Sequence, residues 1–249
     1  MTKRNANILV TRPLPKGREL VSLLEAQGMQ ACEAPLFSYQ AYPLGSTAPS
    51  PDIFIFVSVA AVEYAHAQQP IDSWQASQFI AVGQATKLAL ANLGISAISP
   101  TEQNSEGVLS LTALTQVHDK RIVIVRGDNG RELMFDTLTN RGAKVSYLQS
   151  YQRLWRTFSL PITNQWRQDG INFIICTSVA MLEKMANLLV TSDNYWQRSC
   201  TWVVASSRIY EKAKQLELTH IILANGASNQ ELVLACQNGS NYDRQKNNA

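Results

Sequence analysis

The chain is written twice. Ile8-Leu9-Val10-Thr11-Arg12-Pro13, with Gly17-Arg18-Glu19-Leu20, Gly28 and Ser38-Tyr39-Gln40, returns as Ile122-Val123-Ile124-Val125-Arg126, with Gly130-Arg131-Glu132-Leu133, Gly142 and Ser150-Tyr151-Gln152. Ser58-Val59-Ala60 with Glu63 returns as Ser178-Val179-Ala180 with Glu183, and Leu93, Ser105, Leu109 and Leu111 return as Leu216, Ser228, Leu232 and Leu234. A duplicated half builds two like lobes, and a cleft between lobes is a usual place for a ligand. The repeat alone places the cut between them near residue 118.

Short apolar runs recur at Asn7 to Val10, Ile53 to Val57, Phe79 to Val82, Arg121 to Val125, Phe173 to Cys176, Thr201 to Ala205 and His220 to Leu223. They do not alternate polar with apolar, as expected of strands covered on both faces in parallel sheets. Each is followed by helical spacing, such as Glu19, Leu20, Leu23, Leu24 or Thr86, Leu88, Leu90, Leu93. The β-α alternation predicts an open, doubly wound α/β sheet in each lobe. Gly28, Gly94 and Gly142 fall where helices should end.

Several classes are disfavoured. The longest apolar stretch, Ile53 to Val62, is far short of the roughly 20 residues that span a bilayer, and Met1 is followed by a polar, basic segment. A soluble cytoplasmic protein is the expectation. The four cysteines, Cys32, Cys176, Cys200 and Cys236, form no Cys-x-x-Cys pair and read as buried thiols, with no metal site. A net charge of +3 is too mild to indicate nucleic-acid binding. The polar stretch from residue 238 to 249 reads as a disordered tail.

In doubly wound sheets the residues just after each strand carry the chemistry. Here they are Thr11-Arg12-Pro13, Ser58, Gly83-Gln84-Ala85-Thr86, Arg126-Gly127-Asp128-Asn129-Gly130, Thr177-Ser178, Ser206-Ser207-Arg208 and Asn225-Gly226. Hydroxyls, arginines, amides and glycines at helix N-termini are equipment for holding anions. General acids and bases are nearly missing. His66 falls on a helix, His118 before a strand and His220 at a strand start, so no Ser-His-Asp arrangement forms, and Asp128 reads as a turn residue. No phosphate loop occurs. Ser58, Ser178 and Ser206 are expected to cap helices. Arg12 and Arg126 are either solvated charges or anion ligands, and Arg18-Glu19 and Arg131-Glu132 read as helix-surface pairs. Tyr39 and Tyr151 either pack or offer a phenol that donates a proton to a leaving oxygen.

The order and spacing of Leu9-Val10-Thr11-Arg12-Pro13 with Gly17-Arg18-Glu19-Leu20, Phe56-Val57-Ser58, Ala81-Val82-Gly83-Gln84-Ala85-Thr86, Val125-Arg126-Gly127 with Gly130-Arg131-Glu132-Leu133, and Ser150-Tyr151-Gln152-Arg153 resemble uroporphyrinogen-III synthase over essentially the whole chain. The resemblance implies two flavodoxin-like, doubly wound parallel-sheet α/β domains joined by a two-stranded β ladder near Phe37 to Tyr42 and Gln149 to Leu154. One domain would comprise residues 1–36 plus 154–249, and the other 37–153, each mixing the two copies.

It further implies a cofactor-independent lyase of haem and porphyrin biosynthesis, acting as a monomer. Such an enzyme cyclises hydroxymethylbilane, an octacarboxylate linear tetrapyrrole, to uroporphyrinogen III, losing water and inverting ring D. Tyr151 matches the family tyrosine that assists departure of the hydroxyl. Thr86 and Ser178 match cleft hydroxyls, whereas Ser206-Ser207-Arg208 departs from the Gly-Pro-Thr-Thr of some members. The expected substrate-binding set is Arg12, Ser58, Gly83, Thr86, Arg126, Gly127, Thr177, Ser178, Ser206, Ser207 and Arg208. Transient contact with the enzyme that forms hydroxymethylbilane is a further expectation, with no nucleic acid and no membrane as partner. A non-catalytic two-lobed binding protein for a small polyanion fits the same inventory, and a nucleotide-sugar transferase fits it less well.

Overall fold

The computed structural model describes residues 6–45, 51–189 and 194–246, with side chains as far as residue 239. Among the described residues the strands are β1 (Asn7–Val10), β2 (Gln30–Glu33), β3 (Phe37–Ala41), β4 (Ile53–Phe56), β5 (Gln78–Ala81), β6 (Arg121–Gly127), β7 (Lys144–Trp155), β8 (Phe173–Cys176), β9 (Thr201–Val204) and β10 (His220–Leu223). The helices are α1 (Lys16–Ala26), α2 (Val59–Gln68), α3 (Gln84–Ala91), α4 (Ser105–Leu109), α5 (Leu133–Asn140), α6 (Leu160–Gln168), α7 (Val179–Leu189), α8 (Asn194–Arg198), α9 (Ser207–Gln215) and α10 (Asn229–Lys246). The chain divides into one unit made of the residues up to Ser38 and from Trp155 on, and a second running from Tyr39 to Leu154. Both boundaries fall inside strands, β3 and β7, rather than near residue 118 where the repeat alone would cut.

The first unit carries a five-stranded sheet in the order β10-β9-β8-β1-β2, with every pair parallel. The second sheet runs β3-β7-β6-β4-β5, and its pairs among β4 to β7 are parallel. β6 is the repeat of β1, and β4 is the counterpart of β8. The central pair of each sheet, β1 with β8 and β6 with β4, therefore joins one copy to the other. In the second sheet the counterpart of β10 shrinks to a single bridge between Ile80 and Ile98.

Alternation along β4 shows why such strands read as unbroken apolar runs. Ile53 and Ile55 belong to one core cluster with Ile122, Ile124, Val108 and Leu138, whereas Phe54 and Phe56 belong to another with Val123, Val125, Ala61 and Leu90. Both faces are covered, so both side-chain sets are apolar.

Helix ends follow local chemistry. Ser58 accepts a hydrogen bond from the Ala61 N–H at 3.1 Å, and Ser178 accepts one from Met181 at 3.2 Å, so both cap their helices. Ser206 sits at the N-cap of α9 without a side-chain cap bond, contrary to expectation; it is exposed, and its carbonyl alone receives Ile209 and Tyr210. Beyond α1 and α5, Gly28 and Gly142 adopt φ of 74° and 84°, a conformation a Cβ would penalise.

The expected tail gives way to helix as well, because α10 runs through Lys246 and only residues 247–249 of that stretch lie outside the described ones. Leu232, Val233, Ala235 and Cys236 are buried, and at Gly239 the helix passes so close to Ile222 and Phe173 that a Cβ would collide with them. An anchored helix then extends at little cost per residue.

None of the four cysteines forms a disulfide; Cys176, Cys200 and Cys236 are buried, whereas Cys32, on an outer strand, is only partly so. Burial pushes the Cys176 and Cys236 thiols up to about 12. No helix among the described residues is long and apolar enough to cross a membrane.

Candidate active site

In the second unit the carboxyl ends of β5, β4 and β6, with the point on β7 where its pairing to β6 stops, bring Gly83, Ser58, Arg126, Gly127 and Tyr151 to one edge of the sheet, because these strands are parallel. The register of β6 against β7 breaks between Arg126, opposite Gln149, and Gly127, opposite Tyr151. This bulge leaves Ser150 as the extra residue and re-aims Tyr151. Ser150 is fully buried; its hydroxyl donates to the Ala61 carbonyl at 3.2 Å, and its carbonyl accepts from Gln68 Nε2 at 2.9 Å. Helix α2 thus holds the residue preceding Tyr151.

The Tyr151 ring occupies the space a side chain at Gly127 would need, since a Cβ there would lie 2.5 Å from Cε2 and 2.6 Å from Cζ. Tyr39 meets the ring edge-on, with centroids 5.0 Å apart at 86°, and Tyr64 tilts against it at 5.8 Å. Tyr64 also donates its hydroxyl hydrogen bond to the Tyr39 carbonyl at 3.2 Å. The Tyr151 hydroxyl stands 3.2 Å from Ser58 Oγ. Tyr39 therefore packs, Tyr151 is placed, and Tyr64 is a member that reading the sequence missed. Its only signal was position: it lies six residues after Ser58 on the helix that Ser58 caps.

Arg126 is not a solvated charge. It is 6% exposed, its Nη1 donates to Glu132 Oε1 at 3.0 Å, and its guanidinium lies 4.4 Å from the centre of the Tyr147 ring. Glu132 also accepts the Tyr147 hydroxyl. These bonds from Tyr147 and Arg126 hold the Glu132 carboxyl below its ordinary range. Burial, followed by the bond to Glu132, pushes the Tyr147 phenol up to about 12.

Arg131 pairs with Glu106 on α4, not with Glu132, and Arg18 pairs with Glu33 on β2, not with Glu19. Sequence proximity suggested both helix pairs; contacts with other elements, β2 for Arg18 and α4 for Arg131, decided otherwise. Asp128 sits in a bend just after β6 and receives Arg153 at 3.4 Å. Gly83 is the N-cap of α3, and Gln103 accepts the next N–H, that of Gln84, at 3.0 Å. Thr86 is buried in the first turn of α3.

In the first unit, Arg12 follows β1, Thr177 and Ser178 follow β8, and Ser206, Ser207 and Arg208 follow β9, all at the carboxyl edge of adjacent parallel strands. Arg12 is 9% exposed, and its Nη1 donates to the Ala227 carbonyl at 2.9 Å and to Asn229 Oδ1 at 2.6 Å. It ties the end of β1 to the start of α10. Thr177 Oγ1 lies 3.6 Å from Met181 Sδ, while Ser206, Ser207 and Arg208 are exposed at the start of α9. Among the described residues no group of three His, Cys, Asp or Glu side chains is placed to hold a metal ion.

A family model described as "Uroporphyrinogen-III synthase HemD" matches residues 18–233. A uroporphyrinogen-III synthase of Salmonella typhimurium is 34% identical over 245 residues, covering 93% of this chain and all of that protein. The Escherichia coli protein of the same name is 33% identical over 246 residues with the same coverage. Among solved structures, uroporphyrinogen-III synthetase from Helicobacter pylori covers 94% of this chain and 99% of its own, with a TM-score of 0.66 at 12% identity. A mutant uroporphyrinogen III synthase from the extreme thermophile Thermus thermophilus covers 95% and 99%, with a TM-score of 0.64 at 11% identity. At those identities the two structures speak for the fold alone.

Proposed function

The chain belongs to the uroporphyrinogen-III synthase family, and from that membership we infer that it cyclises hydroxymethylbilane to uroporphyrinogen III, with loss of water and inversion of ring D, in tetrapyrrole biosynthesis. The observation that carries the residue-level reading is the placement of the Tyr151 phenol, backed by Gly127, flanked by Tyr39 and met by Ser58. A phenol fixed beside Gly127, where β6 ends, suits protonation of a departing hydroxyl.

In this reading Tyr151 gives its proton to the hydroxyl of the bilane, the C–O electron pair leaves with water, and the resulting cation returns its pyrrole N–H proton to Tyr151 to leave a neutral azafulvene. The substituted carbon of ring D attacks it, and a spiro intermediate fragments and recloses with the ring inverted. Electron-rich pyrroles supply their own reactivity, so the protein chiefly positions the chain, and proximity and orientation supply most of the acceleration. Other strand-end hydroxyls, N–H groups and cations, those of Gly83, Thr86, Arg126, Gly127, Arg12, Thr177, Ser178, Ser206, Ser207 and Arg208, are proposed to hold the substrate's carboxylates. A cytoplasmic monomer, with transient contact to the enzyme that forms the bilane, completes the proposal.

Incubation with freshly made hydroxymethylbilane, followed by oxidation and chromatography of the porphyrin isomers, tests it. Type III product is expected; type I product alone defeats the reading. Tyr151→Phe is expected to lower the type III yield, and unchanged turnover would remove Tyr151 from the mechanism.

A further inference from the structure

We propose that Ser58 is a positioning residue for Tyr151: fixed by the N-terminus of α2, its hydroxyl donates to the phenolic oxygen and turns the phenol's proton away from the helix, toward the group it protonates. The proposal rests on the reading of Tyr151 given above.

Three features carry it. Ser58 Oγ is held in place, because it accepts the Ala61 N–H at 3.1 Å as the cap of α2. The phenol is held in place independently, by Gly127 behind its ring, Tyr39 and Tyr64 beside it, and Ser150 bonded to Ala61 and Gln68 of the same helix. The two oxygens are thereby fixed 3.2 Å apart, slightly longer than the usual bond between hydroxyls.

Proton accounting allows this direction, and the chemistry requires it, because a phenol that spent its proton on Ser58 could not give it to the substrate. A serine hydroxyl has one proton and two acceptor sites, and the Ala61 N–H occupies one of them. The Ser58 proton is then available for the phenolic oxygen, which leaves the phenol's own proton for the substrate. When that proton passes to the departing hydroxyl, the C–O pair leaves with water, a cation forms on the pyrrole, and Tyr151 becomes a phenolate. Loss of the pyrrole N–H proton from the cation restores the phenol, so water is the net product.

During the step the bond from Ser58 becomes charge-assisted and shortens from its relaxed length, and the positive end of α2 lies beside the new negative charge. Both interactions are stronger in the transition state than before it, which is the condition for raising kcat. The equivalent Ser178 caps α7 through Met181 alone among the described residues, so the phenol distinguishes one copy of the repeat from the other.

Ser58→Ala, Ser58→Thr, Ser58→Asp and Tyr151→Phe, with the double variant Ser58→Ala/Tyr151→Phe, test the proposal by steady-state turnover of hydroxymethylbilane. Ser58→Ala is expected to lower kcat by about tenfold or more with KM unchanged. Thr, which keeps both cap and donor, restores turnover; Asp, which caps but cannot donate, does not. In the Tyr151→Phe background the further change to Ala leaves kcat unaltered. An additive double variant, an effect confined to KM, or full turnover by Ser58→Asp overturns the role of Ser58 while leaving Tyr151 in the mechanism. Unaltered kcat in Tyr151→Phe overturns both readings at once. If Ser58→Ala fails to fold for want of its cap, the comparison of Asp with Thr decides.

Discussion

The ring of Tyr151 stands where a side chain on Gly127 would have to go, with Cζ only 2.6 Å from the position a Cβ would take. The contact exists because the bulge after Arg126 brings Tyr151 opposite Gly127 in the sheet. Gly127→Ala is therefore expected to push the ring from its seat between Tyr39 and Tyr64, lowering stability by about 1–3 kcal/mol. Turnover should fall more steeply than that loss explains; urea unfolding and type III product formation check the two effects.

Glu132 binds both Arg126 and Tyr147, and its carboxyl is held below the ordinary value of 4.5. A depressed carboxyl contributes stability that is complete above its unfolded-state value and is lost as pH falls through the folded-state one. The protein should weaken as pH falls below 4.5, and Glu132→Gln should flatten that part of the curve, as read by urea midpoints from neutral to acid pH.

Tyr147 predicts the opposite limb. Its phenol moves from 10.0 to about 12 on folding, so its contribution is fully present below pH 10.0 and disappears between there and about 12. Tyr147→Phe removes that slope while keeping the ring under Arg126. Thermal midpoints across the alkaline range test this.

Arg12 ties β1 to α10 through Ala227 and Asn229. Asn229→Ala removes one acceptor without removing the charge and should cost about 1 kcal/mol of stability. Arg12→Lys should cost more, about 1–3 kcal/mol, because an ammonium cannot reproduce the guanidinium's geometry. Denaturant unfolding of the two variants gives the comparison.

Thiol modification of the native protein should be slow and confined to Cys32. Burial, then the negative charge of Asp169, raises its pKa, but it alone of the four cysteines is not fully buried. Cys176, Cys200 and Cys236 should react only after unfolding, and a chromogenic thiol titration with and without denaturant counts them.

Strands covered on both faces are legible because Ile53-Phe54-Ile55-Phe56 must satisfy two cores at once, and helix starts are legible where a serine stands ahead of an apolar face, as at Ser58 and Ser178. Ser206 occupies the same kind of place without capping, since a hydroxyl type cannot report its own rotamer. The arginines were visible at their strand ends, but not their partners. Arg18 chose Glu33 over Glu19, and Glu132 chose Arg126 over Arg131, because residues brought near by the folded backbone lay at better geometry than the next residue in sequence. Tyr64 stayed hidden for the same reason: nothing local distinguishes a helix-surface tyrosine from one that braces a distant ring.

By itself the sequence determined the parts of this protein: a repeated set of apolar strands, each feeding a helix, with hydroxyls, glycines and arginines at the strand ends, all written in local periodicity. Only the tertiary structure decided how those parts pair. It set β1 of one copy beside β8 of the other, cut the chain inside β3 and β7 rather than between the repeats, and used a one-residue slip in register to bring Tyr151 over Gly127 and against Ser58. Such choices depend on contacts between residues far apart in the chain, which no local pattern encodes.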